Sequence, residues 1–137
     1  MKSSTIYYGI IPLGGSKMND YIINFLKEIM AIDSPSGYTK EVIHHCQKEA
    51  ENLGFHTNQT NKGTLEIYVE GQDDYTVGFC GHVDTLGLMI RSIKSDGTLA
   101  FTNVGGPIIP TLDGEYCRIH TRSGKCYTGT ILSNYPA

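Results

Sequence analysis

The sequence predicts a mixed α/β fold, and three observations carry that expectation. Two stretches with helical periodicity fill the first part of the chain, the apolar period drops to two after Gly54, and glycine-centred turns then separate short strands. Sixteen glycines, nine tyrosines and no tryptophan fit a chain rich in turns and strands, without a collagen-like repeat.

Residues 1–17 show no usable periodicity and end in the flexible tract Leu13-Gly14-Gly15-Ser16, so they are read as an N-terminal extension, with Met18 as an alternative initiation point. From Asn19 or Asp20, either a reasonable N-cap, the apolar residues Ile22, Phe25, Leu26, Ile29 and Met30 recur at helical spacing through about Ile32. The run Asp33-Ser34-Pro35-Ser36-Gly37 breaks that helix. Thr39 can cap a second one, with a buried stripe of Val42, Ile43, Cys46, Ala50 and Leu53 and with Gly54 at its C-terminal stop.

Leu65, Ile67 and Val69 alternate with Glu66, Tyr68 and Glu70 as in a half-buried strand. The largely apolar run Tyr75 to Val83 reads as a central strand. Asp96-Gly97 then separates Leu86–Lys94 from Thr98–Val104, a hairpin signal because both central positions can adopt positive φ at low cost. Ser123-Gly124 separates Tyr116–Arg122 from Lys125–Leu132 in the same way. The change from an α/β layer to antiparallel hairpins predicts a domain boundary near residue 85, giving segments 1–17, 18–85 and 86–137. Ser133 to Ala137 follow a strand with no capping element, so the second domain is expected to be incomplete, with exposed strand edges that favour aggregation.

The 137 residues suit one modest domain or part of a larger protein. Eleven basic against fourteen acidic residues leave a net charge of −3, which offers no electropositive footprint for nucleic acid and no polybasic segment for a membrane surface. The apolar run Ile6 to Leu13 is too short for a membrane span and is broken by Gly9 and Pro12. Four scattered cysteines, with no CxxC pair, fit a reduced cytoplasmic protein.

The chemistry concentrates in Phe79-Cys80-Gly81-His82-Val83-Asp84-Thr85. On a strand, His82 and Asp84 share a face, roughly 6 to 7 Å apart along the backbone, near the carboxyl end where ligands of open α/β sheets bind. An imidazole there can ligate a divalent ion, while the carboxylate either ligates too or fixes the ring tautomer from behind. An HxD tripeptide also arises by chance, and a histidine beside a strand is often simply hydrogen-bonded.

The wider order of motifs is more specific. Pro35-Ser36-Gly37 after a first helix, Gly81-His82-Val83-Asp84-Thr85-Leu86-Gly87, Asp96-Gly97, Val104-Gly105-Gly106, Thr121-Arg122-Ser123-Gly124-Lys125 and Tyr127-Thr128-Gly129-Thr130-Ile131 together resemble the M42 family of metallo-aminopeptidases. That family includes the TET and glutamyl aminopeptidases and members once labelled endoglucanase M. The resemblance, which runs from about Asn19 onward, implies a zinc-peptidase-like α/β catalytic domain up to Thr85 and, from Leu86, the start of an inserted β-barrel dimerisation domain.

It also implies that His82 is a metal-ligating histidine and Asp84 the catalytic-site aspartate that supports it. Thr85 stands where many members carry glutamate, which bears on substrate preference. Further implied are two divalent ions per active site, zinc or cobalt, short peptide substrates that lose their N-terminal residue, and assembly into homo-oligomers. The remaining ligands and the glutamate general base of the family have no counterpart in this stretch. One matched histidine falls short of the roughly three protein ligands of a catalytic zinc, so these residues alone are expected to lack peptidase activity. Two alternatives stay open: an M20-type metallo-deacylase or carboxypeptidase, and a non-catalytic oligomerisation module.

Other candidates have simpler readings. His45 and Glu49 form an i, i+4 pair that could grip a metal, but with His44 they also suit a solvated helix face. His56 begins a strand without an identifiable partner. A two-residue turn at Ser123-Gly124 would pair Cys126 with Thr121 and Cys117 with Thr130, leaving two small buried cysteines about 13 Å apart on one face, too far for a disulfide. Arg118, His120, Arg122 and Lys125 gather basic charge on that hairpin, as a solvated face or a site for an acidic partner. Gly105-Gly106-Pro107 lacks the spacing of a phosphate loop and reads as a turn.

Overall fold

A computed structural model describes residues 15–133. Most of the expected N-terminal extension, residues 1–14, and the final residues 134–137 lie outside the described residues. The chain divides into two compact units between Thr85 and Leu86.

The first unit contains helices α1 (Gly15–Ala31) and α2 (Lys40–Asn52) and the antiparallel pair β1 (His56–Gln59) and β2 (Leu65–Tyr68). Helix α1 starts at Gly15, ahead of the expected Asn19. Its half-buried positions are Tyr21, Phe25 and Ile29, and Ile32 just past its end is half-buried too. The rest of the expected stripe is uncovered, with Ile22, Leu26 and Met30 53%, 48% and 66% exposed. Periodicity found the apolar arc of this helix, but only one edge of the arc meets a neighbour.

Against that edge α2 packs as the spacing predicts at its centre. Val42 is fully buried and Ala50 nearly so, Ile43 and Cys46 are half-buried, and Leu53, at the C-cap, is exposed. Gly54 follows at φ +85°, the left-handed conformation that ends a helix and that glycine adopts without a Cβ penalty. Thr39 occupies the N-cap position without a side-chain capping bond. The two helices are joined by a stack of rings: Tyr21 lies over Phe25 with centroids 6.3 Å apart, and Phe25 over His45 at 5.6 Å. Hydrogen bonds flank the stack, Tyr21 Oη donating to Glu49 Oε1 at 2.6 Å and His45 Nε2 lying 3.1 Å from Glu28 Oε2.

The expected central strand over Tyr75–Val83 does not form. Among the described residues no β-ladder partner is recorded for this stretch, the nearest pairing being the parallel bridge of Pro35 to Thr85 beyond its end, and Tyr75, Val77 and Phe79 are 71%, 64% and 95% exposed. An apolar run states what a strand would bury, but a strand exists only where a second backbone supplies the ladder. Gly78 and Gly81 weaken the extended state further.

The second unit consists of two hairpins, β3 (Gly87–Ile93) with β4 (Leu99–Val104) and β5 (Tyr116–His120) with β6 (Cys126–Thr130), linked through a 3₁₀ turn at Ile109–Leu112. They form separate two-stranded sheets. Both hairpins lie where the turn signals put them; the first turns over residues 95–97, as the expected strand bounds leave, whereas the second turns over residues 122–124, one residue longer than expected. Lys94 N–H donates to Thr98 O at 2.8 Å and Gly97 N–H to Lys94 O at 3.0 Å, with Gly97 at φ +84°. Thr121, Gly124 and Lys125 repeat the pattern, with Gly124 at φ +80°. Only the glycine takes positive φ, as in a type I turn closed by a glycine bulge.

That extra residue changes the register. Cys126 faces His120 and Cys117 faces Gly129, so the two thiols lie on opposite faces of the hairpin rather than on one. All four cysteines are free; Cys117 is half-buried, whereas Cys126 is exposed and not the buried residue expected.

Candidate metal site

The site is assembled in the first unit from two pieces of irregular chain. The first is the turn between α1 and α2, closed by Tyr38 N–H donating to Pro35 O at 2.7 Å, with Gly37 at φ +88°. The second is the segment His82–Thr85. Thr85 N–H donates to Ser34 O at 2.8 Å beside the Pro35–Thr85 bridge, and Ser34 Oγ donates to Val83 O at 3.0 Å. Ser34 is completely buried, and its hydroxyl bond satisfies the polar group that burial would otherwise penalise.

His82 and Asp84 are brought together on this frame, although not on a strand. His82 Nδ1 lies 3.0 Å from Asp84 Oδ1 and 3.3 Å from the Asp84 carbonyl oxygen. The imidazole is 84% exposed and the carboxylate 37%. The other carboxylate oxygen, Oδ2, accepts a hydrogen bond from Ser36 Oγ. Asp84 is held below the usual aspartate range, first by the Ser36 hydroxyl and then by His82, with desolvation opposing. An ionised carboxylate facing Nδ1 favours the N–H there and leaves Nε2 with its lone pair outward.

Beside the pair lies an open cleft of about 600 Å³, with Phe25, Ile43 and Leu65 on its apolar side and Ser36, His82 and Asp84 at its polar side. A ligating histidine commonly donates its second ring N–H to a carboxylate, and this pair has that form. Among the described residues no group of three or more His, Cys, Asp and Glu side chains converges. A catalytic zinc takes about three protein ligands, so these residues fit one ligand of a metal centre and not a whole one.

The other candidates resolve differently. His45 does not pair with Glu49: it meets Glu28 and Phe25 across the helix interface, while Glu49 accepts from Tyr21. His56 stacks against its cross-strand neighbour Tyr68, with centroids 5.9 Å apart. Arg118 and His120 share a face of β5, on the side of Cys126. Ser34 and Ser36 join the site from a run that the sequence marks only as a helix break. A serine beside a turn glycine reads as loop chemistry, and nothing in spacing brings it to a carboxylate so distant in the chain.

Fold and site together define a two-unit α/β chain that carries a carboxylate-backed histidine. The M42 glutamyl aminopeptidase family matches residues 63–137, more than half of the chain, and the chain belongs to that family. Among its relatives, Putative aminopeptidase YhfE of Bacillus subtilis (strain 168) is 40% identical over 111 residues, covering 80% of this chain and 32% of the relative. Glutamyl aminopeptidase of Lactococcus lactis subsp. cremoris (strain MG1363) is 24% identical over 102 residues, 73% of this chain and 29% of that protein. In three dimensions the chain is similar to the TET aminopeptidase of the marine sediment archaeon Thaumarchaeota archaeon SCGC AB-539-E09, with a TM-score of 0.77 and 27% identity over 85% of this chain and 32% of that one. The chain therefore spans about a third of the length of the relatives it matches.

Proposed function

We propose that this chain is part of a metal-dependent aminopeptidase of M42 type, which removes N-terminal residues from short peptides. Membership of the family supports the reaction class. The single observation that carries the local reading is the His82–Asp84 pair, with Nδ1 turned to the carboxylate and Nε2 left to ligate. In this reading residues 18–85 belong to the catalytic domain, and residues 86–137 open the β-rich inserted domain, a barrel used for dimerisation. The uncovered arc of α1 and the unpaired segment Tyr75–Val83 are surfaces that the rest of such a domain would cover.

His82 supplies one ligand to a centre of divalent ions, zinc or cobalt, and Asp84 holds the ring from behind. When bound, such ions polarise the peptide carbonyl and activate water. The further donors and the general base come from polypeptide outside these residues, so a protein limited to this stretch is expected to show no turnover. No helix among the described residues is long and apolar enough to cross a membrane. The family resemblance supports a cytoplasmic homo-oligomer that acts on peptides, and the net charge of −3 gives no footprint for nucleic acid or lipid.

The test is release of the N-terminal amino acid from a short peptide by the gene product that bears this sequence, supplied with zinc or cobalt. Chelator-sensitive release from the amino end is expected. Hydrolysis of N-acyl groups or of the C-terminal residue instead would replace this reading with the M20-type alternative, and a metal-independent oligomer without turnover would favour a non-catalytic module.

A further inference from the structure

A carboxylate attached to an imidazole by one oxygen alone keeps a soft torsion, since the terminal χ of aspartate is broad and roughly two-fold. Asp84 is held at both ends. Oδ1 faces His82 Nδ1 at 3.0 Å, and Oδ2 accepts from Ser36 Oγ. We propose that Ser36 is a positioning residue for His82, acting through Asp84: its hydroxyl fixes the plane of the carboxylate, and the carboxylate fixes the tautomer and direction of the ring.

The position of Ser36 does not depend on that hydroxyl. Its backbone sits in a turn closed by Tyr38 N–H on Pro35 O at 2.7 Å. The same turn is tied to the far segment by Thr85 N–H on Ser34 O at 2.8 Å, by the buried Ser34 hydroxyl on Val83 O at 3.0 Å and by the Pro35–Thr85 bridge. The frame therefore places the Ser36 Cβ, and the hydroxyl is left with one task, to occupy an oxygen that water would otherwise reach on a carboxylate 37% exposed. Removing it leaves the frame and frees Oδ2.

The value of this arrangement to a metal centre rests on the reading of His82 as a ligand, but the orientation itself can be measured without metal. In the metal-free chain labelled with ¹⁵N-histidine, long-range ¹H–¹⁵N spectra at a pH where the ring is neutral report which nitrogen carries the proton. Wild type is expected to favour Nδ1–H at His82. Ser36→Ala should move the ratio toward Nε2–H by about fivefold, the equivalent of one modest hydrogen bond, and Ser36→Thr should restore it. Slow exchange of the Thr85 amide serves as the check that the frame persists.

A wild-type ratio in Ser36→Ala overturns the proposal, as does a change that Ser36→Thr fails to restore or that comes with loss of Thr85 protection. Asp84→Asn separates the two claims. If it moves the ratio while Ser36→Ala does not, Ser36 is dismissed and the support of His82 by Asp84 stands. If neither moves it, both fall.

Discussion

The backbone N–H of Thr85 donates to the carbonyl of Ser34 at 2.8 Å, which makes one frame of a turn between two helices and the end of the segment that carries His82 and Asp84. The site depends on this link more than on either helix, because the segment has no strand neighbour among the described residues to hold it.

The buried Ser34 hydroxyl is the second tie of that frame. Ser34→Ala removes its bond to Val83 O and leaves the carbonyl without that donor, so a local loss of about 1 to 2 kcal/mol is expected. Exchange of the Thr85 amide should accelerate by roughly 5- to 30-fold, while amides of α2 change little. Unchanged exchange at Thr85 would remove Ser34 from the account.

Asp84 makes the frame sensitive to acid. Its carboxyl is depressed in the folded chain, so the unfolded state binds the proton more readily and stability rises with pH in that window. The contribution is fully present above the ordinary aspartate value and is lost as pH falls through the lower folded value. Since the Ser36 hydroxyl is the first cause of the depression, with His82 behind it, a ¹³C carboxyl titration should show the Asp84 value rising in Ser36→Ala and in His82→Ala. An unchanged value in Ser36→Ala would contradict the geometry.

At the helix interface the Tyr21 phenol is pushed up to about 12, chiefly by its hydrogen bond to Glu49. A raised value means the folded state holds the proton more tightly, so this bond supports the fold fully below the ordinary tyrosine value near 10 and fails as pH rises through about 12. Tyr21→Phe should cost about 1 kcal/mol at neutral pH, a modest figure because the pair is only partly buried. The difference in phenolate absorbance between the two proteins should show one tyrosine ionising about two pH units late.

Gly105 has two independent reasons to be glycine. It sits at φ +75°, and a Cβ there would meet Leu86 Cδ2 at 2.7 Å. Gly105→Ala is expected to cost about 1 to 2 kcal/mol from the backbone alone, plus the displacement of a leucine tip. In a denaturation cycle Leu86→Ala should relieve the second part and leave the first. Full additivity of the two substitutions would show that the contact contributes nothing.

The thiols should differ in a fixed order. Cys80 and Cys126 are exposed, whereas Cys46 is half-buried in α2 and its thiol is pushed up by that burial. Maleimide labelling followed by mass spectrometry should modify the first two well before Cys46. Mild oxidation should not join Cys117 to Cys126, which lie on opposite faces of their hairpin.

Local signals in the sequence were reliable where local physics decides the outcome. The helix stop at Gly54, the burial of Val42 and Ala50, and both hairpins followed from spacing and turn chemistry. The length of the second loop did not, because Ser123-Gly124 serves equally in two- and three-residue turns, and the one-residue difference reassigned the partners of Cys117 and Cys126. The segment Tyr75–Val83 failed for another reason, since its strand character depends on partners that no local pattern contains. The spacing of His82 and Asp84 drew them together on a strand that does not form, and what holds the pair close, Ser34 and Ser36, is contributed from the far side of α2 and the β1–β2 hairpin.

The most direct test of the account is the metal content of the purified gene product, measured by mass spectrometry beside its aminopeptidase turnover, for wild type, His82→Ala and the control His44→Ala. His82→Ala is expected to lose bound zinc or cobalt and at least about a hundredfold in turnover, while His44→Ala retains both. A His82→Ala protein with wild-type metal content and wild-type turnover would contradict the account.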